Sequence, residues 1–357
     1  ANTTGNPNTA VGTECLDANT TGGSLTAVGY RALSANTTAS FNTAVGTNAL
    51  ASATTGAELV AVGTNALDAV TTATACIGIG YNAGGQLTTG SYSIAIGTNA
   101  VAAATTELYN IGIGVHALKD EASGTRNVAI GHAALEDSNG GNYNTAVGYG
   151  ANRDNTQGDN NTSFGYQALN LNTTGAQNTA VGQDCSKSTT TGSNNTAIGR
   201  NSFYNNTTGG SNTAVGTSAL YNNTTASSNV AVGDSALVAN TTGHSNVAVG
   251  SSALDANTTA NHNVAVGNAA LTDNTTGAQN TAVGSGSSGN ITTATYNTAV
   301  GYNSLHNNQT GIRNTAVGAF ALEDVTSNHC TAVGYGALAQ NTSAANNTAV
   351  GSGALTL

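Results

Sequence analysis

The chain has 357 residues, only 7% of them charged and 4% aromatic, and its 7 Lys and Arg against 17 Asp and Glu leave a formal net charge of −10. So few basic residues on an acidic chain argue against nucleic acid as a partner and give no basic stretch to hold anionic lipid. Apolar runs fall well short of the roughly 18 residues that a membrane span needs, and helical periodicity is absent, so no membrane insertion is expected. The lack of an initiator methionine and of a signal peptide suggests a processed product or a segment of something longer.

Glycine recurs every seventeen residues from Gly12 to Gly318; one residue is then lost, and the series resumes at Gly334 and reaches Gly351. The resulting 21 copies read approximately N-T-A-V-G-x-x-A-L-x-x-N-T-T-G-x-x. A fixed period of this length is the signature of a stacked solenoid, in which each unit contacts its neighbours and no compact active site need form. The expected fold is therefore all-β, a parallel β-solenoid (β-roll) of 21 coils. Residues 1–357 make one continuous shaft with no globular domain and no linker. At about 4.8 Å per stacked strand the coils would span on the order of 100 Å. Both ends lie in solenoid phase, which predicts either caps outside the chain or subunits stacking end to end, because a bare coil leaves backbone groups unpaired.

Alternation along a strand assigns faces inside the unit. Val or Ile directly precedes the glycine in every copy except at Phe164, and a β-branched residue such as Thr9, Val60 or Ile94 stands three before it. These two positions share a face, and the exchange of Thr for Val and Ile points that face to the coil's core. Between them only Ala, Gly or Ser occurs. Strict smallness on the opposite face suggests close approach of another backbone, so an interchain seam is predicted at Ala10, Ala44, Gly78, Gly112, Ala146, Ala214 and Ala299. After the glycine, a small residue followed by Leu reads as a second short strand with Leu turned inward. The predicted core is Val11, Leu16, Val45, Leu50, Ile130, Leu135, Val215 and Leu220. Asn-Thr-Thr-Gly supplies the turn, stacking Asn over Asn and Thr over Thr in ladders.

Each coil buries few side chains against the entropy of ordering seventeen residues, so the single chain looks under-cored. Several identical chains around a common axis are the usual closed solution.

The runs Asn-Val-Ala-Ile-Gly at 127–131 and Ser-Ile-Ala-Ile-Gly at 93–97, each followed by x-x-Ala, resemble the head repeats of trimeric autotransporter adhesins. The T-A-V-G-x-x-A-L-x-x-N-T-T-G form looks even more like the repeats of phage tail fibres and bacterial surface fibres that precede an intramolecular chaperone domain. The resemblance covers essentially the whole chain. It implies a left-handed homotrimer with small residues near the shared axis, and an extracellular or virion-attached setting.

Chemistry-bearing residues are sparse. Cys15 and Cys185 occupy the small position three after the glycine, and Cys76 and Cys330 lie four before it. Within each pair the coils are too far apart for the roughly 7 Å Cα separation that a disulfide requires, and no C-x-x-C spacing suggests zinc. The cysteines read as stand-ins for Ala, Ser or Asn, with an interchain bridge near a trimer axis as the alternative. His116, His132, His244, His262, His306 and His329 are scattered over different phases. Glu14, Glu58, Asp68, Asp120, Glu121, Glu136, Asp137, Asp154 and Asp159 place several acids in the first ten coils, the way polysaccharide-cleaving β-helices build their sites, but lone solubilising acids are the preferred reading. Gly140, Gly141 and Asp159 do not complete the calcium-binding G-G-x-G-x-D signature. Asn-x-Thr sequons arise from the turn repeat and imply glycans only in a secretory host.

The expected function is non-enzymatic, with no catalytic, metal or cofactor site: a structural protein forming a fibre shaft or filament for adhesion or surface attachment. Its expected partner is itself, as a homotrimer or an end-to-end polymer, with a cell-surface or glycan receptor met through a region outside these residues. The alternative is an ice-binding solenoid using Thr ladders. The turn position of the Thr pair, and the core position expected for the in-strand Thr, argue against it.

Overall fold

A computed structural model describes residues 2–342 and 344–356, which fall into two compact units, Ala1–Gln177 and Asn178–Leu357. Both are all-β and built the same way, with one short strand per coil and parallel pairing between successive coils. The first unit carries ten strands, from Asn8–Val11 to Thr162–Phe164, and the second carries eleven, from Thr179–Val181 to Thr348–Val350. Equivalent residues pair: Val60 with Ile77, Ala61 with Gly78 and Val62 with Ile79 in the first unit, and Thr196 with Thr213, Ala197 with Ala214 and Ile198 with Val215 in the second. The lost residue is absorbed outside the strands, since Thr315 still pairs with Thr331.

The expected second strand is not formed; the four to six residues after each recurrent glycine are turn. The cause is a set of left-handed residues in every coil. Leu50 has φ 51° and Asn48 has φ 56°, and Leu220 with Ser218 repeats the pair at 52° and 56°. Left-handed backbone costs a side chain such as Leu about 1–2 kcal/mol. Burial and a hydrogen bond to the next coil offset it: Leu50 N donates to Ala66 O at 3.1 Å, and Leu220 N to Ala236 O at 3.0 Å.

Leu16, Leu50, Leu135 and Leu220 are buried, but the valines and isoleucines expected beside them are not: Val11 is 58% exposed, Val45 37% and Ile130 39%, and Val215 is half-buried. The two faces of the strand are reversed from the sequence expectation. Ala44, Ala146, Ala214 and Ala299 are fully buried within their own chain. Ala10 keeps the same register, opposite Ala27, though it is itself exposed. At Gly78 an added Cβ would lie 2.6 Å from Leu67 Cγ, and at Gly112 2.7 Å from Val101 Cγ2. These residues are small because each faces the bulky residue of the adjoining turn across a thin interior, so they do not form a seam between chains.

Much of the rest of the interior is polar and bonded along the stack. Four before the glycine, Asn229 donates Nδ2 to Gly243 O at 2.8 Å and accepts from Asn246 N through Oδ1 at 2.9 Å, while its own N–H donates to Asn212 Oδ1 at 3.0 Å. The first unit repeats this at Asn42, with Gly56 O at 2.8 Å and Leu59 N at 3.0 Å. A second buried column runs through the turns, where Asn223 donates to Asn206 Oδ1 at 3.1 Å and to Ala226 O at 3.0 Å. Beside it Thr207 and Thr224 each give their hydroxyl to the equivalent carbonyl one coil on. The recurrent glycine completes the rung. Gly216 has φ +135°, and a Cβ there would collide with Gly233 O.

Asn229→Ala should therefore cost about 2–6 kcal/mol, because it leaves two buried backbone groups unpaired at about 1–3 kcal/mol each. Ala214→Leu should cost about 1–3 kcal/mol by overpacking. Thermal denaturation at several protein concentrations checks both. A loss for Ala214→Leu that is independent of concentration marks an intrachain core, whereas a seam between chains would make it concentration-dependent.

Candidate functional site

Because the small residues point inward, the residues three and one before each glycine form the outward face of the strand, together with the residues five before and one after. In the first unit, strands Val60–Val62, Ile77–Ile79, Ile94–Ile96, Ile111–Ile113 and Val128–Ile130 carry two unbroken aliphatic columns whose members are half-buried or exposed. Exposed Tyr92 and Tyr109 flank them on one side and exposed Tyr81 on the other, and exposed Tyr143, Tyr149 and Tyr166 continue the two borders on the next two coils. In the second unit the same two columns contain only Thr or Val and only Val or Ile, from Thr179 and Val181 to Thr348 and Val350.

The flanking aromatics stack along the coil direction. Tyr92 and Tyr109 lie 5.1 Å apart and 4° from parallel, and Arg126 sits between the rings of Tyr109 and Tyr143 at 5.5 Å and 5.3 Å. On the other edge His132, Tyr149 and Tyr166 stack at 5.1 Å and 5.4 Å, and in the second unit Tyr204 stacks on Tyr221 at 5.1 Å. Within each ladder the facing ring surfaces cover one another, so the ladders offer solvent mainly their edges. The sequence carries the signal, since Tyr109 and Tyr143 follow Tyr92 by one and three repeat lengths, with Arg126 at two.

Among the described residues no group of three or more His, Cys, Asp or Glu is placed to hold a metal ion, and no helix is long and apolar enough to cross a membrane. The histidines lie at separate places. His116 pairs with Glu136 at 3.1 Å and lies 5.9 Å from His132; His244 meets His262 edge-on; His306 Nδ1 contacts Gly286 O at 2.7 Å; and His329 lies 3.4 Å from Arg313. The acids are brought together only in part. Asp137 has its carboxyl pushed up by burial and then by the charges of Glu136, Asp154 and Asp120. Two basic residues neutralise the ends of that row, Lys119 beside Asp120 at 3.3 Å and Arg153 beside Asp154 at 2.7 Å. Glu14 pairs with Arg31 at 3.6 Å, Glu58 is exposed, burial pushes the Asp68 carboxyl up, and Asp159 accepts from Asn142 N at 2.7 Å. Glu121 takes an asparagine position inside the second ladder, where Gly124 N, Gly140 N and Ser138 Oγ donate to it. Two shallow grooves mark the surface, one lined by Glu14, Asp17 and Arg31 and one by Phe320, Glu323 and Tyr335.

All four cysteines are free thiols, and each does the work of the polar residue it replaces. Cys185 Sγ contacts Ala197 O at 3.2 Å, just as Ser202 Oγ donates to Ala214 O at 2.9 Å; Cys15 meets Ala27 O at 3.1 Å. Cys76 reaches Gly90 O at 3.3 Å and Cys330 reaches Ala344 O at 3.4 Å, the carbonyl that the ladder asparagine binds in other coils.

No protein-family model and no curated protein matches the chain.

Burial pushes the Cys185 thiol up from 9.0 to about 12. Between those values the unfolded chain ionises Cys185 while the folded chain keeps it neutral, so its contribution to stability is complete below pH 9.0 and is lost as pH rises toward about 12. Cys185→Ser should flatten the fall in unfolding free energy across that alkaline window. A thiol-reactive probe at neutral pH should leave Cys185 unlabelled until the protein is denatured.

Proposed function

We propose that the chain is a non-enzymatic structural protein, an extracellular or virion-attached fibre shaft or filament that serves adhesion or surface attachment and works alongside copies of itself. The observation that carries this reading is how the polar side chains are used. Asparagine and threonine are bonded mostly to the next coil, so each coil is the template of its neighbour and the product is stiffness along the stack. Such a scaffold suits presentation of a binding region at a distance, and any cell-surface or glycan receptor would be met by other parts of the fibre.

Support for self-association comes from the first unit. Its five aliphatic rungs with their tyrosine borders cover about 24 Å by 20 Å, on the order of 500 Å². Exposed apolar patches of that size on a soluble chain are often functional, and bulky aliphatics bordered by Tyr and Arg have the composition of an interface core. A closed homotrimer, each chain giving this face to the shared axis, covers the patch in all copies at once.

Sedimentation should accordingly give a mass of three chains, and Ile94→Lys with Ile96→Lys should reduce it to one, since six lysines brought to the axis repel one another. Both residues are outward and not fully buried, so the variant should keep the spectrum of the folded solenoid. An unchanged mass in the variant, or a single-chain mass in the native protein, would remove this face from the assembly. Electron micrographs showing compact particles rather than rods or threads would overturn the shaft itself.

A further inference from the structure

The outward face of the second unit differs in kind from that of the first. Over eleven coils its two columns contain no charged residue and no side chain larger than Ile. Thr196, Thr213, Thr281, Thr298 and Thr315 stand three before the glycine, outward and half-buried or exposed. Among the described residues none of these five hydroxyls is bonded within the chain, in contrast to the turn threonines, whose hydroxyls are spent on carbonyls at Thr207 and Thr224.

We infer that this Thr-x-Val face binds ice. Successive rungs repeat at about 4.8 Å, and alternate residues along a strand at about 6.7 Å, which sets methyls and hydroxyls on a flat grid commensurate with the spacing of water in ice. The hydroxyls anchor lattice waters and the neighbouring methyls hold the first ordered layer in place. No charge disturbs that layer with a hydration shell of its own. The grid is stiff before contact: β-branched side chains have few rotamers, the strands are in strict register, and the asparagine ladders fix the backbone beneath. Binding therefore costs little ordering entropy.

The composition also argues for a lattice over a second protein chain at this face: its two columns hold no Tyr, Trp, Phe, Met or Arg, the residues in which the core of a protein interface is enriched. The in-strand position of the threonine, expected from sequence to be core and so to count against ice, is outward and now supports it.

The test measures thermal hysteresis and inhibition of ice recrystallisation with the purified chain, up to the highest soluble concentration. The native chain should show hysteresis that grows with concentration and should leave crystals faceted. Thr281→Tyr with Thr298→Tyr should bring both effects to the buffer value while the circular dichroism stays native. Thr242→Tyr, on an exposed turn, should keep them. Val249→Lys, on a rung that carries no threonine, is the second probe and should also abolish them. Absence of hysteresis in the native chain overturns the inference, as does activity that survives both face variants. If the face variants lower the sedimentation mass and leave hysteresis untouched, the occupant is another chain and the inference fails.

Discussion

The structure depends on one interaction, the hydrogen bonding of a buried asparagine amide to the backbone of the adjoining coil. Asn229 shows its form: the amide nitrogen satisfies a turn carbonyl and the amide oxygen satisfies the next asparagine's N–H. A buried backbone group without a partner costs about 1–3 kcal/mol, so this side chain removes two such costs in each coil that carries it. It does so only if the next coil presents its groups in the same place, which holds the repeat at seventeen residues apart from the one coil that loses a residue outside its strand. The recurrent glycine obeys the same constraint, because the carbonyl of the next coil occupies the place where its Cβ would be.

A coil held this tightly has room for little else inside. Leu50 or Leu220 fills the centre, with Ala44 or Ala214 facing across, and the two asparagine columns occupy the remainder. The strand's own valines and isoleucines have no further place inside and go outward. The left-handed backbone at each leucine follows from the same limit, since a sharp turn is the only way to return the chain within so short a repeat, and inter-coil hydrogen bonds offset its cost. Asn152 is the clearest strain in the scheme. It stands in a leucine position, fully buried, and neither its amide nitrogen nor its amide oxygen has a partner; its φ of 48° suits Asn better than Leu.

Periodicity, strand position, the turn ladders and the buried leucines are all legible in the sequence; the inward face of the strand is not, because Val and Thr in one column and Ala in the next satisfy either assignment. Two residues break the tie. Phe164 stands in the valine column, and it is 56% exposed. The residue directly after the glycine has the same parity as that column and varies among Tyr149, His132, Arg200 and Asp234, the variety of a solvent face. Likewise Leu25, Leu59 and Cys76 in the asparagine column mark an interior position, since Leu replaces Asn freely only where water is absent.

The contrast between the two units follows from the same physics. Inward columns are held to Ala, Leu and Asn by volume and by hydrogen bonding, so they carry the fold and little else. Outward columns are released from both restraints, yet in the second unit they stay confined to Thr, Val and Ile through eleven coils while the columns on either side drift through Ser, Gln, His, Asp and Arg. Strand propensity favours β-branched residues but does not forbid lysine or glutamate on a solvated face. Restriction to uncharged, stiff, methyl-bearing side chains where packing does not demand it points to a surface that meets something flat, repetitive and uncharged.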